Sequence, residues 1–257
     1  MRPLPLAPVA NFELWSDQDT VYVINDNEGQ LFEFLKLAQG DTWVTREAMT
    51  KIGVANPSLA AGTPPDRRAL ASIKPTDVLV LGIRAWPNGI AASPRWVGGR
   101  AALYSLGFLL RKAASVLLDI HAQELKVGLR VFRDAAGNVG GQVFMSDSLE
   151  NGAGYSSYFG TPAQAEALLR YVVGQPGNAF HGPLVAPAHA GQCRTPCPDC
   201  LRDFNNLTYH NILDWRLGLD LARLALDPGA QIDFTVPYLQ GFDAAAGGPD
   251  FAARPGG

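Results

Sequence analysis

The chain has 257 residues, of which 47% are hydrophobic and 18% are charged, and its formal net charge is −3. This length allows one large or two small domains, and the acidic balance gives no general electrostatic reason to bind nucleic acid. Apolar runs such as 78–83 are too short to span a bilayer, and the proline-broken first residues lack the apolar core of a signal peptide. We therefore expect a cytoplasmic protein with no membrane partner.

The first third of the chain is rich in strand-forming residues. Three segments carry the aromatic and β-branched residues typical of strands: 12–15, 20–24 and 31–35. The turn-forming residues 25–29 between the last two predict a hairpin. Residues 43–44 are expected to continue this sheet, and 46–52 to form a short helix. Several glycines and prolines in 53–72 then predict a loop or linker.

The pattern changes at residue 76 to a mixture of strands and helices. The continuous apolar run 76–83 is typical of a buried strand. Apolar residues in 100–124 recur with a period of 3.6, which predicts a long helix. Alternating residues in 125–132 and 141–145, separated by the turn 134–138, predict a hairpin.

Two further helices are predicted in the second half. Segment 161–173 begins with the N-cap candidate Thr161, and 211–226 has a strong apolar stripe. A last strand at 231–239 is expected before a disordered tail.

These elements predict an α/β (α+β) fold with three parts. Residues 1–72 are expected to form a β-rich N-terminal segment, 73–242 a mixed α/β domain that contains all three cysteines, and 243–257 the disordered tail.

All three cysteines lie within eight residues, in a loop interrupted by prolines. Cys193, Cys197 and Cys200 have the spacing C-x3-C-x2-C, and His189 precedes the first of them by four residues. Three thiolates and an imidazole form an acceptable tetrahedral Zn²⁺ site. With four protein ligands the ion has no open position, so we expect a structural zinc.

The fourth ligand and the metal itself leave alternatives open. His181 and His210 also lie near the cysteines, and Asp199 is a weaker candidate. The Cys197–Cys200 pair has redox spacing, although no strand precedes it, and clustered thiols can also simply be buried.

The sequence contains none of the common motifs of phosphate binding or hydrolysis. There is no G-x4-G-K-[ST], no G-x-S-x-G and no H-E-x-x-H. Asp147 and Glu150, with His121, give an alternative hypothesis, a metal-dependent nuclease or hydrolase. The competing interpretation of this segment is a structural turn with a helix cap. Four basic groups are each interpreted as solvated surface rather than a DNA contact: Arg67-Arg68, Arg95/Arg100, Arg111-Lys112 and Arg194/Arg202.

The cysteine block and the residues after it resemble a known family. The relevant segments are Cys193-x3-Cys197-Pro-Asp-Cys200-Leu-Arg-Asp-Phe-Asn-Asn, Tyr209-His210-x3-Asp214-Trp-Arg216-Leu and Asp147-Ser-Leu-Glu-Asn-Gly-Ala-Gly-Tyr155. They resemble the MrfA-type zinc-binding domain (MZB) found at the C-terminus of certain DEAD/DEAH-box helicases. They are also similar to the DrmB-like component of DISARM anti-phage defence. The resemblance covers most of residues 20–226.

The resemblance implies a non-catalytic accessory role in anti-phage defence or DNA repair. Because this chain has no helicase motor, the family's ATPase activity does not transfer to it, and a helicase on another polypeptide is the expected partner. Nucleic acid would be reached through that complex, and no small-molecule substrate is evident. The family generally supplies four cysteines, so here a histidine must substitute for the fourth, or the site is weakened or lost. A free-standing DNA-binding zinc module is a third hypothesis, which the acidic charge disfavours.

Overall fold

The computed structural model describes residues 6–25, 30–46, 58–87, 93–134, 137–174 and 178–230. These residues form two compact units, one from the chain up to Asp19 and from Pro75 onward, the other from Thr20 to Lys74. The domain boundaries predicted at 72 and 242 stay a prediction. The strand predicted at 231–239, the tail at 243–257 and all but the first residue of the helix at 46–52 lie outside the described residues.

Eight strands are present in the described residues: β1 (Ala7–Val9), β2 (Phe12–Asn25), β3 (Phe32–Lys36), β4 (Trp43–Thr45), β5 (Asp66–Arg68), β6 (Leu70–Ile83), β7 (Leu125–Arg133) and β8 (Val139–Asp147). The helices there are α1 (Val97–Leu118), α2 (Tyr155–Tyr158), α3 (Pro162–Val173), α4 (His181–Val185), α5 (Pro187–Ala190) and α6 (Trp215–Leu226), with 3-10 turns at Ala122–Glu124 and Phe204–Tyr209. The predicted mixed α/β (α+β) fold with a β-rich N-terminal region is confirmed.

The first unit is built on a five-stranded sheet with the order β1-β2-β6-β8-β7. β7 and β8 form the predicted hairpin, paired from Leu125↔Asp147 to Arg133↔Val139. Leu125, Val143 and Met145 share one face of this hairpin and are buried in the core. This alternation places the apolar face of the sheet under a layer of helices.

Helix α1 is the centre of the first unit. It packs against β7 and β8 and also contacts α3 and α6. Close approach is possible because Gly218 of α6 faces Ser105 of α1, where an added Cβ would lie 2.8 Å from the Ser105 carbonyl oxygen. The Ser105 hydroxyl also accepts a hydrogen bond from the Asp214 backbone N–H at 2.8 Å. The start of α6 is thereby fixed to α1.

Helix α1 is long and apolar enough to cross a membrane by length and composition alone. Its most apolar window is 72% buried inside the protein. Burial of this kind is typical of a core helix. Continuous apolar runs in the sequence do not identify this helix as a candidate span, because its apolar residues are interrupted by polar ones.

The second unit contains a three-stranded sheet with the order β4-β3-β5. The predicted hairpin between 20–24 and 31–35 is therefore wrong, because β3 pairs with β4 and β5, and β2 lies between β1 and β6 in the other sheet. The turn residues 25–29 predict a chain reversal, but they do not determine which strands pair.

Several strands are longer than the sequence predicts, and β2 and β6 show the largest differences. β2 runs without a break from Phe12 to Asn25, and β6 begins at Leu70 rather than 76. The polar residues 16–19 suggested a break in β2. On the exposed part of a strand, however, polar side chains remain solvated and do not interrupt pairing.

Candidate metal centre

Four potential metal ligands meet in the first unit. The ligand atoms of His189, Cys193, Cys197 and Cys200 all lie within 4.8 Å of one another. The Cys200 Sγ is 3.7 Å from the Sγ atoms of both Cys193 and Cys197, and the Cys197 Sγ is 3.3 Å from the His189 Nε2. Zinc bonds of about 2.3 Å to sulfur and about 2.0 Å to nitrogen require tetrahedral edges of about 3.8 and about 3.5 Å. The four residues therefore form a compact potential metal-binding site.

Short helices and tight turns bring these ligands together. His189 lies on α5, whose first residue, Pro187, fixes the start of the helix. The backbone N–H of Cys193 donates to the His189 carbonyl at 2.7 Å. In the Cys197–Cys200 turn, the N–H of Cys200 donates to the Cys197 carbonyl at 3.2 Å, and the N–H of Cys197 donates to the Cys200 Sγ at 3.1 Å. Each pair of ligands is thus held by its own local hydrogen bonds.

The hydrogen bonding of His189 orients its ring for metal binding. Its Nδ1 lies 2.7 Å from the carbonyl oxygen of Leu184, a group that only accepts. Nδ1 therefore carries a proton, so in the neutral, metal-binding form of the ring the lone pair is on Nε2, the atom that faces Cys197. Metal-ligating histidines commonly have this arrangement, with the second ring nitrogen donating to a backbone carbonyl or carboxylate. The ring also packs against Trp215 at 5.5 Å between centroids.

The other candidates for the fourth ligand lie outside this group. The Nε2 of His210 is 2.7 Å from the side-chain oxygen of Asn206, so it belongs to the 3-10 turn. His181 is not among the converging ligands, and burial lowers the pKa of its imidazole. Asp199 is exposed beside the cysteines. Of the sequence candidates, His189 alone is brought to the three thiols.

The thiols occupy different electrostatic environments. Burial raises the pKa of Cys193 and of Cys200. For Cys197, burial also raises the pKa, but the hydrogen bond with His189 and the backbone N–H groups of Cys200 and Asp199 outweigh it and bring the value to about 7. In the absence of metal, two of the three sulfurs therefore hold their protons at neutral pH, and a metal ion must displace them.

Two cations from the core helices reach the backbone of the ligand loop. Lys112 of α1 donates to the carbonyl of Pro198 at 3.2 Å and also to that of Asp199. Arg216 of α6 donates to the carbonyls of Ala190 and Cys193 at 2.9 and 3.0 Å. The ligand loop is therefore attached to both helices.

Interpreting Arg111-Lys112 as a solvated basic pair is wrong. Arg111 is buried and forms an ion pair with Asp203, and its guanidinium lies over the ring of Phe108. Burial lowers the pKa of Arg111 to about 10. Both cations interrupt the apolar stripe of a predicted core helix, and this interruption is the sequence signal that could have identified them.

A pocket of about 330 Å³ borders the cluster. Its lining includes Lys112, Phe180, Leu184, His189 and Cys200. Solvent and chelators can therefore approach the ligand atoms from this side.

The acidic turn after β8 has a different organisation. Asp147 has 0% of its surface exposed, and its carboxylate accepts hydrogen bonds from the backbone N–H groups of Ala153, Tyr155 and Ser156 at 2.7, 3.1 and 2.9 Å. Asp77 accepts from the N–H of Gly154 at 3.0 Å. These carboxylates stabilise the Gly-Ala-Gly turn and the start of α2, as the structural interpretation predicts.

The residues of the nuclease hypothesis do not converge. Glu150 is exposed on the turn, and His121 precedes the 3-10 turn at Ala122–Glu124. Within the described ranges, the only group of three or more His, Cys, Asp or Glu side chains placed to share an ion is the His189 cluster.

Comparison with known proteins gives two partial similarities, and no family model matches the chain. A stretch of 128 residues is 30% identical to the Druantia protein DruE of Escherichia coli (strain UMEA 4076-1). It covers 49% of this chain and 6% of DruE.

The second similarity is to a solved structure, the crystal structure of DUF1998 helicase MrfA bound to DNA. The match has a TM-score of 0.40 and 12% sequence identity, and covers 84% of this chain and 25% of MrfA. The chain thus spans a quarter or less of the length of each of these two proteins.

Proposed function

We propose that this chain is a non-catalytic zinc-binding accessory domain that serves a DNA helicase. The observation that carries the proposal is the His189, Cys193, Cys197 and Cys200 cluster, which supplies four convergent ligands. Four protein ligands fill a tetrahedral shell, so the ion has no position for substrate or water and acts as a structural link.

The donor set favours zinc over other metals. Three soft thiolates and one imidazole in tetrahedral spacing suit Zn²⁺, whereas Mg²⁺ and Ca²⁺ prefer oxygen ligands. When bound, the ion would connect α5 to the Cys197–Cys200 turn. Zinc at this position supplies folding energy, because the loop between α4 and α6 has little regular secondary structure of its own.

The helicase connection rests on sequence. The cysteine block and the Gly-Ala-Gly segment resemble the helicase-associated zinc-binding family, and 128 residues of the chain are similar to DruE. We infer that the chain has a helicase partner and contacts nucleic acid through that complex. We also infer that it acts in anti-phage defence, like the DrmB-like component of DISARM, or in DNA repair. Three reduced cysteines fit a cytoplasmic location.

Native mass spectrometry and elemental analysis test the metal. We expect one zinc ion per chain in protein purified without chelator, loss of the ion in Cys197→Ser, and reduced occupancy in His189→Ala. The control is His210→Ala, which changes a nearby histidine outside the cluster and should retain zinc. Absence of metal from the wild-type protein would refute the structural zinc.

The helicase partner is tested by affinity purification of the tagged chain from its native cells. We expect a protein with DEAD/DEAH-box motifs to be enriched with the wild type and lost with Cys197→Ser. The recombinant pair should then show DNA-dependent ATP hydrolysis, whereas the chain alone should show none. If no protein with helicase motifs is enriched, or if the chain alone hydrolyses ATP, the accessory role is wrong.

A further inference from the structure

We propose that Lys112 and Arg216 form a cationic clamp that holds the two halves of the metal site and offsets its negative charge. This inference rests on the proposed zinc site and assigns a positioning role to two residues that are not ligands. The halves are the His189–Cys193 segment and the Cys197–Cys200 turn.

Arg216 holds the first half to α6. One terminal nitrogen of its guanidinium donates to both the Ala190 and the Cys193 carbonyls, at 2.9 and 3.0 Å. The guanidinium lies 4.4 Å from the centroid of the Trp215 ring, the same ring that packs against His189. The two hydrogen bonds and the stacking together fix the position of the arginine. A lysine could donate to the same carbonyls, but it lacks the planar group that stacks on Trp215.

Lys112 holds the second half to α1. Its ammonium group donates to the carbonyls of Pro198 and Asp199, the two residues between Cys197 and Cys200. Because both carbonyls belong to the turn between the two cysteines, the lysine restrains the conformation of that turn and with it the separation of the two thiols. Because α1 and α6 are themselves packed together, the two cations tie both pairs of ligands to one rigid element pair.

Charge adds to this restraint. One Zn²⁺ with three thiolates and a neutral imidazole carries a net charge of −1. Lys112 lies beside the turn that carries Cys197 and Cys200, and Arg216 lies beside Cys193 while also pairing with Asp214 at 3.7 Å. In a partly buried site electrostatic attraction is screened less than at the surface, so the two cations would stabilise the negatively charged zinc cluster.

Zinc release from the loaded protein to a chromophoric chelator tests the clamp. Lys112→Met removes charge and donors, and we expect release roughly 10-fold to 100-fold faster, the range found when partners of metal ligands are removed. Lys112→Arg keeps both and should release zinc at close to the wild-type rate. Lys126→Met is the matched control, since it removes an exposed lysine on β7 and should change nothing.

Arg216 gives a second, independent arm. Arg216→Lys keeps the charge but loses the stacking of the guanidinium on Trp215, and we expect a release rate between those of the wild type and Lys112→Met. The Co²⁺-substituted protein should show a shifted d–d band in this variant, because the ligand geometry changes, and the wild-type band in Lys126→Met. If Lys112→Met does not fold by circular dichroism, Lys112→Gln tests the charge alone, since it keeps amide donors without the charge, and unchanged zinc release in that variant would overturn the role of the charge.

The outcomes separate this inference from the zinc proposal. Wild-type protein without zinc refutes the proposed site itself. Zinc-loaded wild type with unchanged release in Lys112→Met and in Arg216→Lys overturns the clamp alone. Equal acceleration in Lys112→Arg and Lys112→Met also overturns it, because packing rather than the cation would then control release.

Discussion

Two irregular segments of the first unit are stabilised in opposite ways. In the turn after β8 the chain supplies its own polar partners, because the Asp147 carboxylate accepts hydrogen bonds from three backbone N–H groups in 153–156. The cysteine loop instead brings together three sulfurs and one imidazole nitrogen within 4.8 Å. The first arrangement pairs an anion with donors, whereas the second gathers lone pairs around a common centre.

The difference between the two segments indicates which acidic or thiol-rich loops need a bound cation for stability. A carboxylate surrounded by backbone N–H groups already has its stabilising partners, and a cation would have to displace them. Gathered thiolates repel one another unless a cation or protons lie between them. The β8 turn should therefore be independent of metal, and the cysteine loop should depend on it.

Removal of the ion should have the largest effect. In Cys200→Ser, or after chelation, we expect hydrogen exchange to rise across 181–214, while 147–158 keeps its protection. Structural zinc contributes about 10–16 kcal/mol of binding free energy in small zinc-finger peptides, and here its loss should destabilise one segment of a larger domain. Thr195→Ala, an exposed neighbour, is the control. Equal loss of protection in both segments would contradict the proposed independence.

The pH dependence of zinc binding should be the next largest effect. Cys193 and Cys200 have raised pKa values and Cys197 has a pKa of about 7, so binding near neutral pH displaces about two to three protons. Because binding releases protons, affinity must increase as pH rises, by roughly 100-fold to 1,000-fold per pH unit near pH 7.

Titration calorimetry in buffers of different ionisation enthalpy measures this proton release directly. The zinc-induced stability should be lost as pH falls through the neutral range. A proton count close to zero would mean that the sulfurs are not the ligands.

Asp147→Asn should disrupt the hydrogen bonding of the turn after β8. The amide keeps the shape but leaves one accepting oxygen, and its NH2 group faces the backbone donor of Ser156. We expect a loss of about 2–4 kcal/mol in the free energy of unfolding, since each unsatisfied buried donor costs about 1–3 kcal/mol.

Asp77→Asn is the milder companion, because one hydrogen bond to Gly154 is involved. Both variants should retain a full zinc ion by elemental analysis. Loss of zinc from a folded Asp147→Asn protein would show that the two segments are coupled.

The sequence predicted the cluster because its ligands are close along the chain. The spacing from His189 to Cys200 limits how far apart the four side chains lie, and the apolar period located α1 and α6. The polar interruption of the apolar stripe marks Lys112 as unusual, but its contact with the ligand loop could not be predicted, because Lys112 is 86 residues from Pro198 along the chain. The predicted β2–β3 hairpin was wrong for the same reason, because β2 pairs instead with β6, which lies about sixty residues further along the chain. Local patterns determine elements, but contacts between distant elements depend on the complete packing.

The smallest effect should come from Glu150→Ala. This carboxylate lies exposed on the turn, outside the group of converging ligands, so its removal should change the melting temperature little, as for most surface substitutions. Nuclease assays with Mg²⁺ or Mn²⁺ should detect no activity in the wild type, in Glu150→Ala or in Asp147→Asn. A metal-dependent cleavage present in the wild type and lost in Glu150→Ala, with zinc content and melting temperature unchanged, would revive the nuclease hypothesis. The turn after β8 would then be a second segment that depends on an ion, rather than one that its own hydrogen bonds stabilise.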